Sequence, residues 1–308
     1  MVQNSLRNMA TGTEATHDVA RETDTASASW TMQTAAFARR TLRATLRSRA
    51  TLIWGFGFPA FWYVLTSVAF LPGAEAVGGA GNLAAVKAST AVALGLFGAL
   101  TVTLVLFASG LGRDVGEKRY RKLRSLPVAP SADFAGRYLA GLSVAASSYV
   151  LVLILGYFDG ARYALQSPVS VLVVVGSLAL FSLIGVSLAV LVTVLVSDAE
   201  MIVGITNAVL LVTYFLTGYN GLMPGLLPDR ARFLVNVAPN ALAARLQVWH
   251  LTDVPATTPE GAASTGLAPP ALPIGPEYVA LLLAWALALG AAAAVAMDRG
   301  IYRGEGGE

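Results

Sequence analysis

The 308 residues contain no cysteine and only two histidines, His17 and His250, and charged residues make up just 13% of the chain. Without cysteine there is no disulfide framework, thiol nucleophile or thiolate metal site, and two isolated histidines leave too few ligands for a zinc centre. So little charge excludes a soluble surface, because ordinary globular proteins carry about a quarter charged residues. A formal net charge of +3 is too small to point to nucleic acid, so the basic residues matter through where they sit. The phosphate-cradling G-x-x-x-x-G-K-[ST] loop is absent, as are H-E-x-x-H and G-x-S-x-G. The chain is therefore expected to bind no cofactor and to be no enzyme in its own right.

What the sequence has is apolar length, at 56% hydrophobic residues and a mean hydropathy of +0.64. Six runs, at 51–71, 88–111, 138–158, 168–196, 201–219 and 278–297, each approach the roughly 20 residues that cross a hydrocarbon core. No Asp, Glu, Lys, Arg or His falls inside these bounds, whereas ion-coupled pumps usually hold ionisable groups near the midplane. If the chain pumps, the energy comes from another subunit. The predicted fold is an all-α membrane protein of six transmembrane helices, with an N-terminal amphipathic interfacial helix and an external helical hairpin between spans 5 and 6. Residues 1–29 are polar without an apolar core and are predicted to be a mobile cytoplasmic tail. Residues 30–300 form the transmembrane domain, and 301–308 a second short tail.

Between Trp30 and Arg49, Ala35, Ala38, Leu42 and Leu46 form one stripe, with Arg39, Arg43 and Arg47 one position round from it. That pattern describes a helix lying on a membrane surface. Of the 21 Lys and Arg, 16 fall before span 1, between spans 2 and 3, and after span 6. The bias places both termini in the cytoplasm of a multi-pass protein expected in the plasma membrane.

The long external segment has two parts. Residues 221–251 hold two short helix-like pieces opened by Pro228 and Pro239, too short and too charged to span, which suit an interfacial or re-entrant hairpin. Residues 252–276, rich in Pro, Ala, Gly and Thr, read as a strap. Ser197 to Glu200 has the S-x-x-E spacing of a capping box opening span 5. Within that span Asn207, Tyr214 and Thr217 share a polar face and are the candidate pathway residues, although polar residues in spans more often join helices. Gly95 and Gly98, Ser143 and Ser147, and Ser182 and Gly185 have the spacing of close helix contacts.

The densest charge lies between spans 2 and 3, where six basic residues fall between Arg113 and Arg124 and the run ends at Pro127. Ser131 is placed to cap the next helix, with Asp133 in its first turn. By charge alone, this loop is a topology anchor beside anionic headgroups. The order of residues adds more. A basic surface helix, a proline within span 1 (Phe58-Pro59-Ala60), Glu117 followed by Leu123-Arg124-Ser125-Leu126-Pro127, Gly136-Arg137, and an external Pro-rich hairpin together resemble the ABC-2 family of ABC-exporter permeases over residues 30–300. Where family members usually carry Gly-Thr in the loop, this chain has Lys118-Arg119.

The resemblance implies a permease that pairs with a second permease, of its own or another kind, and with two separate ATPase subunits that bind ATP and Mg. It implies that Glu117, Arg119, Arg121, Leu123, Arg124 and Pro127 dock the ATPase as a coupling helix, with the Arg39, Arg43 and Arg47 helix beside it. The cargo expected of such a subunit is amphiphilic or hydrophobic: a drug, a lipid or a lipid-linked glycan. The alternative is a non-pumping facilitator or scaffold whose basic loop binds anionic lipid.

Overall fold

The computed structural model describes residues 29–71, 73–196, 198–215, 237–253 and 275–304. Helix α1 (Trp30–Arg47) is followed by α2 (Arg49–Phe70), α3 (Ala80–Gly116), the short α4 (Arg119–Leu123), α5 (Pro130–Phe158), α6 (Pro168–Leu195), α7 (Ala199–Phe215), α8 (Pro239–Leu251) and α9 (Pro276–Tyr302). Five of these, α2, α3, α5, α6 and α9, are long and apolar enough to cross a membrane, and α7 is a shorter apolar helix. The chain is thus an all-helical multi-pass protein. The end of the expected fifth span, the 1–28 tail, the Pro228 piece and most of the strap lie outside the described residues.

Local chemistry sets the helix starts. Pro130, Pro168, Pro239 and Pro276 each open a helix, where a proline's missing N–H would have no intrahelical partner anyway. Ser167 and Ser170 form a reciprocal capping box at the start of α6. Ser48 leaves the helical conformation and its hydroxyl accepts from the Thr51 amide at 3.3 Å, breaking α1 from α2. Ser197 lies outside the described residues, and the cap that the structure shows on α7 is Asp198, whose Oδ1 accepts from the Met201 amide at 2.7 Å. At α5 the sequence expectation is corrected as well. The N-cap position falls on Ala129 with no side-chain bond, and the Ser131 hydroxyl instead accepts from Trp30 Nε1 at 3.1 Å.

Helix α3 is the axis of the bundle, buried along nearly its whole apolar length, while α2 and α9 bury little of theirs. Close approach depends on small residues: a Cβ on Gly95 would meet Tyr149 at 2.8 Å, and one on Gly98 would meet Ser148 at 2.7 Å and Pro59 at 2.8 Å. Thr101 to Leu106 of α3 form a π turn. Within it the hydroxyls of Thr101 and Thr103 donate to the Phe97 and Ala99 carbonyls one turn back, a competition for backbone acceptors that loosens a helix.

Of the two sequence readings for this piece, interfacial or re-entrant, helix α8 departs from the first. Asn240 to Val248 are all buried against α3, α6 and α9, so this piece sits inside the bundle rather than flat on its surface, and Arg245 goes in with it. The α1 stripe is also shifted by one position. The buried residues are Thr34 and Phe37, while Ala35 and Leu46 are exposed.

Candidate functional site: the basic end of the bundle

The loop after α3 turns on Lys118, whose φ of 55° is the one positive value at a non-glycine among the described residues. A left-handed residue ends α3 and starts α4 at an angle to it. Such a site favours glycine, so Lys118 holds a backbone conformation that is costly for a residue with a side chain.

Helix α4 is then fastened to three long helices through one carboxylate. Asp133, fully buried in the first turn of α5, accepts from the hydroxyls of Tyr120 on α4 and Tyr302 on α9, each at 3.0 Å. Its other oxygen takes Arg137 Nε at 2.8 Å. The Arg137 Nη2 reaches Asp114 on α3 at 2.7 Å, and its guanidinium lies 5.8 Å over the Tyr120 ring. The rings of Tyr120 and Tyr302 meet edge-on at 5.3 Å. Burial pushes the Tyr120 phenol well above its usual range, and Asp133 raises it further against the opposing pull of Arg137, so it stays a neutral donor.

The outward-facing residues of the loop divide into two sets. Arg119 bridges Asp114 at 2.7 Å and Glu117, and Arg40 of α1 stands 3.7 Å from the same Asp114. Arg124 folds back so that its Nε and Nη2 donate to the Ile301 carbonyl at 3.2 and 2.8 Å. Arg121, Lys122 and Pro127 are exposed and Leu123 half-buried; among the described residues neither Arg121 nor Lys122 has an ion pair. Thus Arg119 and Arg124 brace the loop from within, while Arg121 and Lys122 project from it.

Helix α1 lies beside this block. A Cβ on Gly136 of α5 would come within 2.6 Å of Phe37 Cβ and of the Thr34 carbonyl oxygen, so the two backbones touch. Gln33 clasps the loop, with Nε2 donating to the Pro127 carbonyl at 3.2 Å and Oε1 accepting from the Ala129 amide at 2.9 Å. Arg39, Arg43 and Arg47 are exposed on the far side. Sequence reasoning found these three and the loop cations; it missed Gln33, Arg40, Asp114, Tyr120 and Tyr302.

The candidate pathway residues are not brought together in the same way. Asn207 is exposed on α7, Tyr214 is half-buried with its ring 4.6 Å from that of Phe97, and Thr217 lies outside the described residues. At the opposite end of the bundle, Asp159 after α5 accepts from Tyr63 at 2.9 Å, from Ser67, and from Lys87 Nζ at 3.0 Å, while Lys87 also donates to the Asp159 carbonyl at 2.8 Å. This clasp ties α2 and α3 to the end of α5. His250 shares a 2.9 Å hydrogen bond with Ser170 across α8 and α6.

The family model described as ABC-2 type transporter matches residues 32–245, a span that runs from the first turn of α1 through the braced loop to the middle of α8. No characterised protein matches the chain significantly.

Proposed function

The chain belongs to the ABC-2 type transporter family, and from that premise we propose that it is the permease subunit of an ATP-driven exporter of an amphiphilic or hydrophobic cargo. In this reading six spans cross the plasma membrane, with α7 and its continuation as the fifth, and the basic end of the bundle faces the cytoplasm. Two ATPase subunits carrying ATP and Mg engage two permeases from that side. Asn207, Tyr214 and Thr217 remain the proposed pathway residues of the fifth span.

The observation that carries the proposal is the rigid mounting of α4. An ATPase can move a membrane helix only by pushing on a part that does not yield, and the Asp133 junction joins α4 to α3, α5 and α9 at once. Arg121 and Lys122, exposed on this mount, supply the charged docking surface, and Glu117, Arg119, Leu123, Arg124 and Pro127 hold its shape. Displacement of α4 then passes to three long helices without an intervening flexible segment.

The test is charge reversal at Arg121, which leaves the braces untouched. In the co-expressed permease–ATPase complex, Arg121→Glu is expected to abolish cargo-stimulated ATP hydrolysis with normal membrane insertion. Normal stimulation in that variant overturns the docking role. The exposed row of Arg39, Arg43 and Arg47 also suits the rival reading, a scaffold held to anionic lipid. That reading gains if the solubilised chain brings down no ATPase from its native membrane.

A further inference from the structure

A cavity of about 430 Å³ lies between α1, the start of α2, the π turn of α3, and α5, within the usual range for small-molecule sites. Its lining is of two kinds. Arg40, Arg113, Arg119, Arg137 and Asp114 contribute charge to the lining, and Val102, Leu106 and Val144 contribute apolar surface. Two more carboxylates touch lining arginines from outside, Glu117 on Arg119 and Asp133 on Arg137. Four guanidinium groups therefore face three carboxylates, one positive charge in excess. That excess sits at Arg113, which has no ion pair among the described residues. Just beyond the lining residues Ala50 and Thr51, Leu52, Ile53 and Trp54 are exposed, at 41%, 63% and 52%.

We propose that this cavity binds the phosphate headgroup of an anionic amphiphile drawn from the leaflet at the basic end, with its acyl chains running along the exposed start of α2. A phosphate monoester matches the arrangement: Arg113, with Arg40 nearby, offers forked donors for its oxygens. The apolar lining and the exposed Leu52-Ile53-Trp54 segment suit the hydrocarbon that follows. A soluble anion has no use for the apolar surface, and a neutral lipid none for the excess charge. The site stands on the geometry and the membrane setting; it is separate from whether the complex pumps.

Gly110 provides a clean probe, because it lines the cavity and a Cβ there would meet nothing within 4 Å. Gly110→Trp fills the space while leaving every ion pair in place, and Arg113→Gln removes the excess charge. Full-length protein in phosphatidylcholine nanodiscs is titrated with spin-labelled dioleoyl phosphatidate, without ATP. Both variants are expected to weaken binding about fivefold or more, the scale of one lost charge-assisted contact, with Arg121→Gln at wild-type affinity. The proposal is overturned if both cavity variants bind like wild type, or if Arg121→Gln weakens binding equally, which would mean diffuse surface charge. It is also overturned if glycerol phosphate displaces the lipid at matching concentrations, marking a soluble-anion site, or if Gly110→Trp changes the oligomeric state, marking a permease interface. Absence of ATP-driven transport by the wild-type complex, with lipid binding intact, would count against the exporter reading alone.

Discussion

Arg137 of α5 reaches Asp114 of α3 across the helix interface, Nη2 to Oδ2 at 2.7 Å, with both side chains nearly out of solvent. The same guanidinium holds Asp133 one turn back on its own helix. Its removal therefore takes a cation from two carboxylates at once, leaving Asp114 to Arg119 and Arg40 and the fully buried Asp133 to two neutral tyrosine hydroxyls. Breaking a buried pair from one side costs about 3–5 kcal/mol, and a membrane helix bundle offers little water to compensate. Arg137→Met is expected to lower the melting temperature in detergent sharply and to reduce yield, with Arg137→Lys in between because an ammonium cannot fork to both partners. A melting temperature for Arg137→Met equal to wild type would show that the junction contributes nothing.

Lys118 adopts a left-handed backbone at φ 55°. For an L-residue that conformation costs roughly 1–2 kcal/mol, while glycine adds about 0.5–1 kcal/mol of unfolded-state entropy. The conformational term is the larger, so Lys118→Gly is expected to be neutral or to stabilise by up to about 1 kcal/mol. Thermal unfolding of the two proteins in one detergent checks this. A clear loss would mean that the lysine side chain contributes more than its backbone costs.

The clasp at the opposite end should respond to acid. Burial raises the Asp159 carboxyl, but hydrogen bonds from Ser67, Lys87 and Tyr63 outweigh it and hold the group below its ordinary 3.8. A depressed value means that the folded state releases the proton more readily than the unfolded chain. The stabilisation is thus fully present above the ordinary value and lost as pH falls through the depressed one. Melting temperatures of wild type and Asp159→Asn should differ by a constant amount between about pH 5 and 7 and converge below about pH 4. A difference that widens in acid would contradict the sign.

The long helices were legible in the sequence because apolar length acts locally, and the spacing of Gly95 and Gly98 did mark a close contact, whereas Ser143 and Ser147, with the same kind of spacing, are exposed. The braced loop was legible only as charge. Asp114 escaped because α3 runs five residues past the end of its apolar run at Leu111, which turns an expected loop residue into a helical one facing α5. The shift of the buried face of α1 from Ala35 and Leu46 to Thr34 and Phe37 follows from Gly136, whose missing side chain decides where α1 settles. Nothing local marks that glycine as a contact. Helix α8 misled for the opposite reason: interleaved charge suggested an interface, whereas the helix is enclosed on all sides and Arg245 with it. Tyr302 lay beyond the reach of pattern altogether, since its partner Asp133 is 169 residues away.

That partnership gives the most direct test of how motion leaves α4. Tyr302 shares Asp133 with Tyr120, and Arg124 holds the neighbouring Ile301 carbonyl, so α9 is linked to α4 by a carboxylate, a ring contact and a backbone acceptor. Tyr302→Phe keeps the ring and removes only the hydroxyl bond, at a cost near 1 kcal/mol. Asp133 keeps Tyr120 and Arg137, so the fold should survive with a small drop in melting temperature. If α9 moves with α4, the variant should still bind the ATPase and yet lose part of its cargo-stimulated hydrolysis, because the loosened helix follows less of each stroke. The double variant Tyr302→Phe with Arg124→Gln should lose more than either alone while the docking affinity stays unchanged. Affinity and stimulation that fall together would instead place Tyr302 in the docking surface. Unchanged stimulation in the double variant would remove α9 from the transmission route and leave α3 and α5 to carry it.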